Sequence, residues 1–271
     1  MVRFHQYKPC IALSAYVKCY WTLEHNYIPD IPECILPDGC IEMIFHYEDK
    51  YRSTINGHLA DQPDSIVVGQ ITQAIHLQPT GKTGILAIRF YPWGLYALTG
   101  IPADELTDRF AEAEIVLGRE LRGVNQRIRE CKAAERLNIV EHFLLSLLRK
   151  QKRSVAEQVT RIAPLLGQLK KAGGNTPVAE MANSANLSLR QFNRTINKIT
   201  GISPKQLSRI TRLQGFLQKY QPSSGQTLTH VLYDCGYYDQ AHFIREFKDI
   251  SGKNPSQFFA QNNDMAELML S

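Results

Sequence analysis

What this chain lacks narrows its chemistry first. Its six cysteines, at 10, 19, 34, 40, 131 and 235, form no Cys-x-x-Cys pair and no Cys/His zinc spacing, so neither a zinc module nor a dithiol redox motif is expected. No His-x-His occurs among His5, His25, His46, His58, His76, His142, His230 and His242. No glycine-rich phosphate loop and no nucleophile–base pair is found either. Catalytic residues, metal ligands and cofactors are therefore expected to be absent. No apolar stretch approaches eighteen residues, and no charged start leads into an apolar run. Neither a membrane span nor a secretory signal is read, and a soluble, cytoplasmic chain with reduced thiols is expected. Cys235 reads as a core residue of a helix, and Cys34 and Cys40, flanking a turn, are the one pair placed for a redox couple.

Positive charge is missing from the first half. Residues 1–154 hold 18 Lys and Arg against 18 Asp and Glu, whereas residues 155–271 hold 13 against 8, so the whole net charge of +5 lies there. A length of 271 residues fits one large domain or two ordinary ones. The charge asymmetry favours two, with a polyanion as the partner of the second.

The last third of the chain repeats itself. Phe192, Arg194, Ile196, Ile199, Gly201, Pro204, Gln206 and Leu207 recur fifty-one residues on as Phe243, Arg245, Phe247, Ile250, Gly252, Pro255, Gln257 and Phe258. Upstream the spacing is fifty: Met181 and Val231, Ala182 and Leu232, Ala185 and Cys235, Asn186 and Gly236, Leu187 and Tyr237. The single residue of slippage falls before Ser188 and Asp239. Each copy reads as helix, sharp turn, helix. Val178, Met181, Ala182 and Ala185 line one face; Asn186 or Gly236 takes the left-handed turn; Ser188 or Asp239 caps the next helix. Phe192, Ile196 and Ile199 pack inward in the first copy, and Phe243, Phe247 and Ile250 in the second.

Two helices joined by so short a turn form the helix-turn-helix, whose second helix enters the major groove of DNA. Removing the inward residues leaves Arg190, Gln191, Asn193, Arg194, Asn197 and Lys198 as candidate DNA contacts in the first copy. In the second they are Gln240, Ala241, His242, Arg245 and Lys248, with Glu246 as the one acid on that outer face. Arg can bridge O6 and N7 of guanine, and Asn or Gln N6 and N7 of adenine; Lys198 and Lys248, near the helix ends, suit phosphates. Between the copies, residues 203–220 read as a linker helix with Leu207, Ile210, Leu213, Leu217 and Tyr220 as its stripe. Its length of about 27 Å approaches one turn of duplex, about 34 Å, which would set the two reading helices in successive major grooves.

From about Arg161 to Ala260 the chain resembles the DNA-binding domain of AraC-type transcription regulators. The residues that carry the likeness are Gly201-Ile202-Ser203-Pro204, then Gly236-Tyr237, Asp239-Gln240, Phe243, Arg245 and Phe247-Lys248. Leu232 replaces a usual small Ala, and Asn254 a usual Thr or Ser before Pro255. The resemblance implies DNA contacts by Arg190, Arg194, Gln240 and Arg245, activation as the commoner outcome with repression open, and RNA polymerase as a partner.

Residues 1 to about 115 read as short strands broken by turn residues: 41–45 after Pro37-Asp38-Gly39, then 66–69, 75–77 and 84–90. A barrel or sandwich follows. Leu36-Pro37-Asp38-Gly39-Cys40 and Ile88-Arg89-Phe90-Tyr91-Pro92-Trp93-Gly94-Leu95 are similar to the cupin-like amino-terminal domain of some AraC-type regulators. Ile101 to Leu106 reads as a capped short helix. Arg89, inside an apolar strand, pairs either with an anionic ligand or, more simply, with an acid of the fold. Residues 119–150 read as helical, rich enough in Leu to pack on the barrel and present a seam to a second copy.

The fold class expected is thus α+β multidomain. Residues 1–153 form a cupin-like sensing or dimerisation domain, β-rich over 1–115 and helical over 116–150. Residues 154–271 form an all-α double helix-turn-helix, with units at 178–200 and 228–250. Double-stranded DNA is the partner, with a small-molecule effector and a homodimer as further expectations and no membrane. The effector site is not legible. Two rivals stay open: an enzyme or ligand-binding barrel, and a helical module that serves protein contacts instead of DNA.

Overall fold

In a computed structural model, residues 2–28, 32–55, 58–220 and 228–260 are described. Ten strands come first: β1 (Arg3–Tyr7), β2 (Val17–His25), β3 (Glu33–Ile35), β4 (Ile41–His46), β5 (Tyr51–Ile55), β6 (His58–Asp61), β7 (Ser65–Val68), β8 (Ile75–Pro79), β9 (Thr83–Phe90) and β10 (Phe110–Glu112). They form a six-stranded sheet in the order β1-β2-β9-β4-β7-β10 and a four-stranded sheet in the order β3-β8-β5-β6. Every strand pair within them is antiparallel.

Strand β9 is buried at every position, and its sequence, Gly84-Ile-Leu-Ala-Ile-Arg-Phe, is apolar without alternation for that reason. One face, with Ile85 and Ala87, meets Trp21, Leu23, Ile44, Ile66 and Tyr51 between the sheets. The other, with Leu86, Ile88 and Phe90, meets helices. These are α1 (Gly94–Thr99), α2 (Ala113–Leu117), α3 (Glu120–Glu130) and α4 (Ala133–Arg149). From the last two, Leu121, Val124, Ile128, Val140, Phe143 and Leu144 close the second core. A short tight helical turn, Ala103–Leu106, separates α1 from β10. All six cysteines are free thiols.

Seven helices follow: α5 (Arg153–Lys171), α6 (Val178–Ser184), α7 (Leu189–Thr200), α8 (Pro204–Lys219), α9 (Leu228–Asp234), α10 (Gln240–Ser251) and α11 (Pro255–Phe259). Helix α5 was not anticipated from the pattern. It carries Pro164 within it, yet Val155, Val159, Ile162, Leu166 and Leu169 keep helical spacing and roof the first helix-turn-helix. Helix α8 also hides Phe216, which the expected stripe omitted; its ring lies 4.4 Å from that of Phe243.

Among the described residues no helix is long and apolar enough to cross a membrane, and no cluster of three His, Cys, Asp or Glu could hold a metal.

Candidate nucleic-acid interface

The first unit is built from α6 and α7. Asn186 turns the chain at φ 52°, and Ser188 and Gln191 then form a reciprocal capping box: the Ser188 hydroxyl accepts from the Gln191 N–H while Gln191 Oε1 accepts from the Ser188 N–H. Phe192, Ile196 and Ile199 are buried against Met181, Ala182 and Ala185. The helix ends at Gly201, φ 89°, where a left-handed residue satisfies the last carbonyls.

The second unit repeats the plan. Gly236 turns at φ 80°, Asp239 Oδ1 accepts from the His242 N–H at 2.6 Å, and α10 stops at Gly252, φ 73°. Phe243, Phe247 and Ile250 pack on Val231, Leu232 and Cys235. Between the units α8 opens with a second capping box, Ser203 with Gln206, and Pro204 at its first turn. It runs 16 residues, about 24 Å of rod.

The outward faces are cationic and amide-bearing, as the sequence placed them, with differences in detail. Arg190, Gln191, Arg194 and Lys198 are exposed on α7, and Gln240, Ala241, Arg245 and Lys248 on α10. Asn193, Asn197 and His242 are half-buried. The Asn193 amide donates to the Leu189 carbonyl of its own helix at 2.8 Å. His242 leans inward, its Nδ1 3.4 Å from the Tyr238 N–H and its Nε2 3.5 Å from Glu246, with its ring against the edge of Tyr237.

Glu246 does not lie on the outer face. It is 8% exposed and held by two arginines of α8: Arg209 Nε donates to Oε1 at 3.1 Å, and Arg212 Nε lies 3.5 Å from Oε2. Arg209 also reaches Asp249 at 3.1 Å, and Arg212 donates to Asn175 Oδ1 at 3.1 Å. Helical periodicity within α10 could not show this, because the partners sit 37 and 34 residues upstream. What reads as an acid on the readout face is the strut that joins α10 to α8.

The sheet unit docks on this module at the far end of α7. The Asn197 amide donates to Asp104 at 3.3 Å, the Lys198 ammonium lies 5.7 Å from the Tyr96 ring centre, and the Thr107 hydroxyl donates to the Gly201 carbonyl. Gln214 of α8 donates to Pro37 O at 2.7 Å, and the Ala74 N–H to Ile250 O at 2.7 Å. Base edges in helix-turn-helix complexes meet the amino-terminal residues of the reading helix, and on α7 that half stays open. Arg89 is engaged inside the sheet unit by Glu42 at 2.7 Å and Asp38 at 3.6 Å, the fold-internal alternative of the two expected for it.

Residues 181–261 match a family model described as a helix-turn-helix domain, and residues 5–112 one described as a domain of unknown function (DUF6597). A comparison with curated proteins finds no match. Among solved structures, the chain is similar to ToxT from Vibrio cholerae O395, at 11% identity and TM-score 0.42 over 96% of each chain. It is similar also to ToxT from the same source bound to (E)-4-(8-methylnaphthalen-1-yl)but-3-enoic acid, at 11% and 0.45 over 100% of this chain and 99% of that one. The AraC-like transcriptional activator CuxR aligns at 12% and 0.33 over 84% and 83%. Two capped, cation-faced units thus stand in the segment that carries the helix-turn-helix match.

Proposed function

We propose that the chain reads a bipartite DNA sequence with α7 and α10 in successive major grooves, and that it acts in the cytoplasm as a regulator, not a catalyst. The observation that carries this is the exposure of Arg190, Gln191 and Arg194 on one capped helix and of Gln240, Arg245 and Lys248 on the other, joined by a rod of about 24 Å. Arg194 and Arg245 occupy equivalent positions and suit bidentate contact with guanine. Lys198 and Lys248 suit phosphates.

The remaining roles extend that reading. Residues 1–153 serve as a sensing and dimerisation domain and residues 154–271 as the reader. The Pro37–Gly39 turn is the natural relay for a small-molecule effector. Asp38 pairs with Arg89 inside the sheet unit, while Pro37 accepts from Gln214 of α8, so a ligand that moves the turn moves the reader. Fatty-acid-bound ToxT is a precedent for an effector of some kind in such a regulator. Activation, through contact with RNA polymerase, is the outcome we assign. The dimer would use α3 and α4, where a groove of about 490 Å³ is lined by Arg127, Glu130, Glu135, Asn138, Ile139 and His142.

The test is selection of duplexes from a random pool by the purified chain, followed by titration at several salt concentrations. Recovery of a two-part motif with a steep salt dependence is expected, about −0.9 in log-log slope for each phosphate contact. Arg194→Ala and Arg245→Ala should each cost about 1–3 kcal/mol and relax preference at one position. A folded chain that recovers no duplex would leave the helical module a protein-binding one.

A further inference from the structure

The two helix-turn-helix units correspond residue for residue except at one place. Asn186 and Leu187 answer to Gly236 and Tyr237 at a spacing of fifty, whereas Ser188 answers to Asp239 at fifty-one. The structure keeps each of these equivalences. Asn186 and Gly236 both take positive φ. Leu187 packs on the core of its unit and Tyr237 is buried in its own. Ser188 and Asp239 both cap. The residue left over is Tyr238. It has no counterpart in the first unit, and at 83% exposure it is the most exposed aromatic side chain among the described residues.

We propose that Tyr238 is a DNA contact of the second reading helix that the first lacks, its phenol hydroxyl donating to a backbone phosphate at the rim of the groove that α10 enters. Placement argues for this. Tyr238 stands one residue before the N-cap of α10, at the end of the helix that meets DNA but outside its first turn, where the sugar-phosphate wall lies. Its backbone is anchored through His242. His242 Nδ1 faces the Tyr238 N–H at 3.4 Å, and Asp239 holds the His242 N–H at 2.6 Å, so the inward lean of His242 steadies the turn that presents the ring. Chemistry agrees as well. Tyr is among the neutral side chains that bond phosphate oxygens, and with two side-chain torsions it loses little freedom on binding. The ring makes the two reading heads unequal, which gives the pair a direction on its site.

The proposal rests on α10 being a major-groove helix, and the experiment separates the two ideas. Anisotropy titrations would use the full chain, a duplex it recovers from a random pool, and an unrelated duplex of equal length. The variants are Tyr238→Phe, Tyr238→Ala and Lys248→Ala. Tyr238→Phe should bind both duplexes about tenfold more weakly with an unchanged log-log salt slope, because a neutral donor displaces no counterion; Lys248→Ala should lower the slope by about 0.9. Tyr238→Ala should lose at least as much as Tyr238→Phe. Wild-type affinity in Tyr238→Phe overturns the proposal, as does a loss confined to one base-pair position. Intact binding with lost transcription would assign the ring to a protein partner and overturn it equally. A folded wild-type chain that recovers no duplex from the pool brings down the groove reading itself.

Discussion

Glu246 illustrates how one side chain can hold two helices. Its carboxylate faces Arg209 and Arg212 of α8 and His242 of its own helix. Replacing it with Gln keeps an acceptor but removes the charge that balances two guanidiniums. Breaking a buried pair in this way is strongly unfavourable because a charge is left uncompensated. Glu246→Gln should lower unfolding stability by about 3 kcal/mol in urea titrations, and a loss below about 0.5 kcal/mol, ordinary for a surface change, would show that the strut bears little. A second residue-scale prediction concerns His46. Burial holds its imidazole down at about 4; its Nδ1 lies 3.2 Å from Pro63 O, and its Nε2 has no partner. The unfolded chain takes up that proton near pH 6.5, the folded chain only near pH 4, so between them the unfolded state holds more protons. Stability therefore falls as pH drops from about 6.5 to about 4, by about 3 kcal/mol in all, and the decline from this group ends below that. Neighbouring acids and His25 also titrate on the way down, so the measurement is the difference between wild type and His46→Asn across the window. Parallel stability curves for the two would refute the assignment.

At the scale of elements, local signals decided what could be read in advance. Caps, turn residues and inward apolar positions of both units were legible because each acts within four residues of itself: Ser188 on Gln191, Asp239 on His242, Phe192 on Ile196. Of the two sheets, β4, β7, β8 and β9 were legible from turn residues and short runs, whereas β1, β2, β3, β5, β6 and β10 were not. Helix α5 was not, because Pro164 and Gly167 interrupt a stripe that tertiary packing completes. Glu246 and Phe216 were missed for a related reason, since what buries them lies across a helix–helix contact that spacing within one helix cannot reveal. The turns offer a test of the local argument. Gly236 has φ 80°, and a Cβ there would stand 2.2 Å from Asn175 Oδ1, the residue that also accepts from Arg212. Gly236→Ala should cost about 2 kcal/mol or more, from left-handed strain together with that clash. Asn186 occupies the same conformation without help from glycine. Asn186→Ala should lose about 1 kcal/mol and Asn186→Gly little or nothing, read as shifts in thermal midpoint. Equal effects of Ala at both turns would mean that Asn175 yields freely.

For the molecule as a whole, the sheet unit grips the reader at both helix-turn-helix units and at the rod between them. Thr107 and Asp104 hold the end of α7, Pro37 holds Gln214 of α8, and Ala74 holds the last turn of α10. Gly39 lies against Leu207 and Ile210. The docked form therefore fixes the heads relative to each other while leaving Arg190, Arg194, Gln240 and Arg245 open. It has one electrostatic cost. Asp104 brings a carboxylate to the carboxy-terminal end of α7, beside Asn197, where an approaching phosphate would meet a like charge. Removing it should favour DNA in two ways, by freeing the Asn197 amide and by lifting that repulsion. Asp104→Ala is expected to bind duplex about two- to fivefold more tightly at low salt, with the gain fading near physiological ionic strength, where screening acts over about 8 Å. Gln214→Ala loosens the dock without changing charge, so any effect it has should be the same at every salt concentration. If Asp104→Ala instead binds more weakly at all salts, the dock acts by holding α7 in the orientation DNA requires, and its ordering effect outweighs the charge.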